Sequence, residues 1–339
     1  MSWLRRARRR PRVAFVLGGG GNLGALQVGM LRALLEHGIR PDVVLGCSVG
    51  ALNGAAFAAD PTDLGVARLE ALWRRLDGDE VFPGGWLPTP VQLARKGESV
   101  HGKEGLRGVI DDVIAEQSFA DLELRFECVA TARDDGREHW FTEGPVADAV
   151  LASAAIPAIF PPVEIGGKRY LDGAVVNDVP VTRAAELGVR QAYVLHVGDY
   201  EKHRPEPKRP IDAAVHAYWL FRQHRLRRDL AALPRRTEAI LLPTGDVPDL
   251  AYDDLSHSHE LIVQAYAATS AHLDAMAGVT EPRAVPAPVE PGPPHDDADD
   301  DKGDDDKDDA HPGPNPVLVT LDGNSGGEAS QERPGGARP

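Results

Sequence analysis

Between residues 13 and 280, short and uniformly apolar runs alternate with longer stretches in which apolar side chains return every three or four positions. The first pattern is that of strands buried on both faces, the second that of helices with one covered stripe. Val13–Leu17, Val43–Leu45, Phe126–Ala130, His139–Phe141, Gln191–Val197 and Ala239–Leu242 are predicted strands. Val163–Ile165 and Arg169–Leu171 are predicted to form a hairpin around Gly166-Gly167. The predicted helices are Gly24–Glu36, Ser48–Ala59, Asp63–Arg75, Glu104–Glu116, Pro145–Ala155, Ile211–Leu233 and Leu255–Ala277. Strands alternating with helices predict an α/β fold, with a mostly parallel central sheet flanked by helices.

The pattern fades at both ends. Residues 1–12 hold six Arg and no acid, and read as a basic flexible leader. Residues 281–339 carry a net charge of −10 in a Pro- and Asp-rich run, and read as a disordered acidic tail. An EF-hand does not fit this tail, because Ala298 stands where the spacing before Gly303 requires Asp. With a net charge of −15 overall, 13–280 is left at −11 and lacks the basic footprint that nucleic-acid binding needs. Two cysteines, Cys47 and Cys128, make no disulfide framework and no zinc spacing, so a reducing, cytoplasmic setting is expected. Residues 13–31 carry no charge, but six of these 19 residues are Gly, and Asn22 and Gln27 interrupt the rest. That is a buried strand running into a glycine loop rather than a signal peptide or membrane span.

The loop is Gly18-Gly19-Gly20-Gly21-Asn22-Leu23-Gly24. Without Cβ atoms its backbone can turn tightly and aim successive N–H groups at one point, and a helix N-terminus behind it favours an anion. Gly19, Gly21 and Gly24 match the dinucleotide fingerprint, yet no acid closes the second strand to hold a ribose, and no Lys-Ser/Thr follows as in a phosphate-binding loop. Neither a dinucleotide nor any other cofactor is expected.

Gly46-Cys47-Ser48-Val49-Gly50 stands where the second strand must turn into a helix, the setting in which a serine is held at a sharp, strained tip. Adjacent parallel strands would place this elbow and the glycine loop at the same edge of the sheet. A serine nucleophile beside an array of N–H donors is the equipment of acyl transfer. What activates the serine is open on the residues alone. His196, His257 and His259 are candidates for a Ser–His–Asp esterase. Asp172 is another base, before Gly173, although Asp-Gly is also an ordinary turn and a carboxylate with a pKa near 3.9 is a weak base unless buried.

Three motifs in order, Gly19–Gly24, Gly46–Gly50 and Asp172–Ala174, resemble the patatin-like phospholipase family. So do Ser153–Pro157 through Phe160-Pro161-Pro162, Tyr170–Ala174 and Asn177–Pro180. The resemblance is best over 13–198. It implies a three-layer α/β fold spanning 13–280 and a serine–aspartate dyad that uses no histidine. Ser48 would be the nucleophile and Asp172 the proton acceptor, with an oxyanion hole from Gly19, Gly20, Gly21 and Gly24 and structural support from Gly46, Gly50 and Gly173. It implies a lipid ester or phospholipid as substrate, no metal and no cofactor. Where the family pattern has Arg before the last glycine of the loop, this chain has Leu23, a change that bears on substrate preference more than on catalysis.

Residues 61–120 are a candidate lid, with Phe82, Trp86, Leu87 and Leu93 as an acyl-chain wall or, equally, a packed surface loop. Arg222, Arg225, Arg227 and Arg228, near Trp219 and Phe221, read as a solvated helix face or as a patch for anionic lipid, giving peripheral membrane contact. A protein of this fold that binds a lipid or partner without turnover is the reading from another functional class.

Overall fold

The computed structural model describes residues 11–81, 99, 102–114, 116–198, 210–248, 250 and 254–278. The leader up to residue 10, most of the candidate acyl-chain wall and the acidic tail lie outside the described residues.

The element order is β1 (Val13–Leu17), α1 (Ala25–Glu36), β2 (Val43–Cys47), α2 (Val49–Ala59), α3 (Asp63–Arg75), a single helical turn (Gly78–Val81) and α4 (Glu104–Ile114). It continues with β3 (Arg125–Ala132), β4 (Glu138–Phe141), α5 (Val146–Ser153), β5 (Val163–Ile165), β6 (Lys168–Asp172), α6 (Val181–Glu186), β7 (Gln191–Leu195), α7 (Pro210–Ala231), β8 (Glu238–Leu241) and α8 (Ser258–Met276). The strands pair in the order β5-β6-β3-β2-β1-β7-β8, with β4 also on β3. From β3 to β8 the pairing is parallel, and β4, β6 and β5 add antiparallel neighbours. The expected α/β class with a mostly parallel sheet is what the molecule has.

Period-two alternation along the central strands sorts their side chains between two layers of helix. Phe15, Leu17, Val44, Tyr193 and Leu195 face a large core shared with α1–α5 and α8. Ala14, Val16, Val43, Leu45, Ala192 and Val194 face a smaller one closed by Val181 and Ala184 of α6 and Leu226 of α7. The result is three layers. Thr62 caps α3 by accepting the Gly65 amide at 3.1 Å, which fixes where that helix leaves the preceding loop.

Three local departures from the sequence pattern matter. A 3-10 turn, Gly21–Gly24, stands ahead of α1, so the glycine loop enters its helix more tightly than the apolar period shows. β2 runs two residues further than expected, which puts Gly46 and Cys47 in the sheet and Ser48 immediately beyond it. The two-turn α6 was not expected, since six residues are too few to show a helical period.

α8 crosses α1 with almost no space at Gly29, where a Cβ would lie 2.1 Å from the Ile262 carbonyl oxygen and 2.7 Å from the Tyr266 nitrogen. Gly108, inside α4, has nothing within 4 Å of that position. Chemical denaturation should therefore show Gly29→Ala losing about 1–3 kcal/mol to forced separation of two helices, while Gly108→Ala gains about 0.5–1 kcal/mol from the helix backbone alone.

Candidate active site

Two strands share one side of β3. Cys128 and Val129 pair with β2 on one side and with β4 on the other, and Ala130 pairs with β4 and with β6. β2 and β6 therefore lie on the same side of β3, end to end and running toward each other. Cys47, the last residue of β2, is opposite Val129, and Asp172, the last of β6, is opposite Ala130. The residue following Cys47 is driven against Asp172 by this register. The Ser48 hydroxyl donates to Asp172 Oδ2 at 2.7 Å, although the two are 124 residues apart in sequence.

Ser48 has a φ of +55°, in the region that L-residues with a side chain adopt only under constraint. Its amide donates to Ser153 Oγ at 2.9 Å, and Ser153 in turn donates to the Val129 carbonyl at 2.6 Å. Gly50 allows α2 to start directly on the end of β1, because a Cβ there would lie 2.3 Å from the Leu17 carbonyl oxygen. Gly173 allows β6 to end over β3 in the same way, 2.3 Å from the Val129 carbonyl oxygen. Gly46 packs against α2, with the Gly50 carbonyl oxygen 2.6 Å from where its Cβ would be.

The Asp172 carboxylate is almost fully buried. Its Oδ1 accepts the Ala174 amide at 2.7 Å, and the Thr131 hydroxyl holds its backbone carbonyl at 2.7 Å. Burial pushes its pKa up to about 7. The bonds from Ala174 and Ser48 oppose that rise, nearby Asp178 adds to it, and Arg222 lowers it. Cys47, next to the serine, is buried as well, and burial raises its thiol well above the usual range, so it stays protonated.

The glycine loop divides its amides. Gly18 donates to the Leu195 carbonyl at 3.2 Å and Gly19 to the Asp178 carbonyl at 3.1 Å. The Gly20 and Gly21 amides stand at the open start of the 3-10 turn, where no described carbonyl takes them. Gly24 serves close packing, with Val49 and Trp73 where its Cβ would be. Gln27, an interruption in an apolar run when read along the sequence, clamps the carbonyls of Gly18 and Leu195 at 2.7 and 3.0 Å. Asn53 joins Gln27 and the Gly24 carbonyl, and Trp73 donates to Asn53, each at 2.9 Å. This buried network holds the loop in place. Its polar residues on apolar helix faces are the only sign of it in the sequence.

A cleft of about 620 Å³ opens at Ser48 and Gly21. Its walls are apolar, from Leu52, Trp73, Leu106, Val109, Ile110 and Phe160 among others. Within the candidate lid region 61–120, α3 and α4 contribute Trp73, Leu106, Val109 and Ile110 to this lining. Phe82, Trp86, Leu87 and Leu93 fall outside the described residues. His196 lies just past β7 with Nδ1 3.0 Å from the Gly198 carbonyl, and His257 faces Glu260 and Asp254, while the serine hydroxyl is directed to Asp172. The basic run on α7 is not a uniform outward patch. Arg222 pairs with Asp178, and Arg225 with Asp229 and Glu138, both turned inward. Among the described residues, no group of three or more His, Cys, Asp or Glu is placed to hold a metal ion, and no helix is long and apolar enough to cross a membrane.

A strained serine thus stands at the end of a parallel strand, in contact with a buried carboxylate and beside a glycine loop. Residues 15–185, half of the chain, match the family described as patatin-like phospholipase, and the chain belongs to that family. It is 28% identical over 218 residues to an uncharacterised NTE family protein of Mycobacterium tuberculosis, covering 63% of this chain and 56% of that one. It is 29% identical over 202 residues to a protein named lysophospholipase in Aspergillus terreus, covering 57% of this chain and 12% of that one. The chain therefore spans little more than half of the first relative and a small part of the second. Among solved structures, VipD from Legionella pneumophila aligns with a TM-score of 0.40 and 15% identity, over 79% of this chain and 67% of that one.

The buried carboxyl has a consequence for stability. Asp172 takes up its proton near pH 7 when folded and near its ordinary 3.8 when unfolded, so the folded state binds more protons between those values. The group's contribution to stability is complete below about 3.8 and is lost as pH rises through about 7. Asp172→Asn should remove this part of the slope: unfolding measured at pH 5 and pH 8 should show the variant gaining on the parent at pH 8.

Proposed function

We propose that this protein hydrolyses carboxylic esters of lipids through an acyl-enzyme on Ser48. The observation that carries the reading is the 2.7 Å bond from the Ser48 hydroxyl to a buried Asp172, at the mouth of an apolar cleft. As the serine oxygen attacks the ester carbonyl carbon, its proton passes to Asp172. The negative charge formed on the carbonyl oxygen is met by the Gly20 and Gly21 amides, with Gly19 holding the loop. The carbon–oxygen bond to the alcohol breaks, and the alcohol leaves with the proton from Asp172. Water then attacks the acyl carbon, returns a proton to Asp172 and frees the fatty acid, and Ser48 regains its hydrogen.

The raised pKa suits Asp172 to this work, since a carboxylate titrating near 7 is a far stronger base than one near 4. The apolar cleft accepts the acyl chain, and the relatives' names support a phospholipid or lysophospholipid as the source of it. In this reading the catalytic unit spans 13–280 and works in the cytoplasm, meeting its substrate peripherally at a membrane surface.

A fluorophosphonate probe should label the folded protein at Ser48 in stoichiometric amount, with mass spectrometry locating the adduct, and heat unfolding or Ser48→Ala should abolish it. A folded chain left unlabelled at Ser48 would favour a protein that binds lipid without turnover. With a soluble p-nitrophenyl ester, kcat/KM should rise about tenfold per pH unit below pH 7 and level off above it, following ionisation of Asp172. A rate that is flat across pH 5.5–8 would remove Asp172 as the base.

A further inference from the structure

The glycine loop has no charged side chain of its own, but a cation from a distant helix is bonded to it. Nη2 of Arg222, on α7, donates to the Gly19 carbonyl at 2.9 Å and to Asp178 Oδ2 at 2.6 Å. The aspartate side chain is buried, 4% exposed, and the arginine mostly so, at 13%. The backbone carbonyl of Asp178 takes the Gly19 amide at 3.1 Å. Gly19 is thus held at its N–H and at its C=O by two residues that are ion-paired with each other.

A trans peptide unit is planar, so its C=O and the following N–H point in opposite directions. Fixing the Gly19 carbonyl on Arg222 sets the direction of the Gly20 amide, which then has to point away from the arginine. Gly19 itself lies against the serine, with Ser48 Cβ 3.2 Å from where a Gly19 Cβ would be, and Gly21 shares the cleft wall with Ser48. We infer that Arg222 is a positioning residue: tied to Asp178, it sets the Gly19–Gly20 peptide so that the amides after it meet the oxyanion formed at Ser48. The inference rests on the acyl-enzyme reading of Ser48 and adds to it a residue from outside the matched segment 15–185.

The same pair acts on the base. Asp178 and Arg222 are the charged groups that face Asp172, one raising and the other lowering its pKa, with the protonated Cys47 thiol beside them. An ion pair that merely anchored α7 would leave the loop's direction unchanged when altered, while its charges would act on the titration of Asp172 in either case. A positioning role changes kcat even where the charge is kept.

The test uses the full chain, a p-nitrophenyl ester, and the variants Arg222→Met, Arg222→Lys and Asp178→Asn, each checked for folding by circular dichroism and thermal melting. In Arg222→Met, kcat should fall about 10–100-fold with KM within about twofold, the scale of a misplaced or lost oxyanion donor. Its acid limb should move to higher pH. Arg222→Lys keeps the charge, so its acid limb should stay at the parent's pH while kcat recovers in part. Asp178→Asn should move the limb to lower pH. If Arg222→Met fails to fold, Arg222→Lys decides the matter through a reduced kcat at an unmoved acid limb. Parent values of kcat and an unmoved acid limb in the folded variants would overturn the proposal. A parent chain that is inactive and unlabelled by fluorophosphonate would instead overturn the acyl-enzyme reading, and this inference with it.

Discussion

Two strands that meet head to head on one side of β3 are the constraint from which the site follows. β2 occupies that side as far as Val129, and β6 takes it over at Ala130. Neither strand can lengthen without colliding with the other, so each must leave the sheet there. One leaves through Ser48 at a φ of +55°, the other through Asp172 into a 3-10 turn at Gly173. The contact between hydroxyl and carboxylate is a product of strand register, and so is the backbone strain at the serine, on the order of 1–3 kcal/mol. That strain persists because Ser153 ties the serine amide to β3, and because Gly50 lets α2 begin against the end of β1.

Burial gives the site its chemistry and sets its demands. Inside the sheet edge, Asp172 loses the water that would keep it acidic, so it holds a proton up to about pH 7. The buried carbonyls of Gly18, Gly24 and Leu195 beside it are satisfied without solvent by Gln27 and Asn53, which with Trp73 form a network on helices that are otherwise apolar. The cleft continues the same logic outward, with α2, α3, α4 and α5 offering it apolar side chains.

Chain order does not follow this geometry. The glycine loop, the serine and the aspartate come from the first two strands and the sixth, and the arginine bonded to the loop comes from α7, well after the matched family segment. Residues that looked like a solvated basic face along the sequence are divided in space. Arg222 and Arg225 turn toward buried acids, and Arg228 stays mostly exposed. A run of arginines has the same pattern whether it meets water or carboxylates, so only the packing of α7 separates the two.

What the sequence determined by itself is what short-range physics encodes. Uniform apolar runs and helical periods gave the strands, the main helices and the α/β class. Glycines at 18–21, 46, 50 and 173 marked where the backbone turns sharply or packs closely, and the serine between Gly46 and Gly50 marked a sharp strand-to-helix turn. The choice between Asp172 and a histidine was not settled by these residues, and came from the likeness of three motifs to a family. Tertiary structure decided which groups touch: Asp172 with Ser48 across 124 residues, Ser153 under the serine amide, Arg222 on the Gly19 carbonyl, and α3 and α4 as walls of one cleft. The reason is that turns and periods depend on neighbours in the chain. Contacts such as these depend on the register of strands and the crossing of helices far apart in it, and no local pattern carries that register.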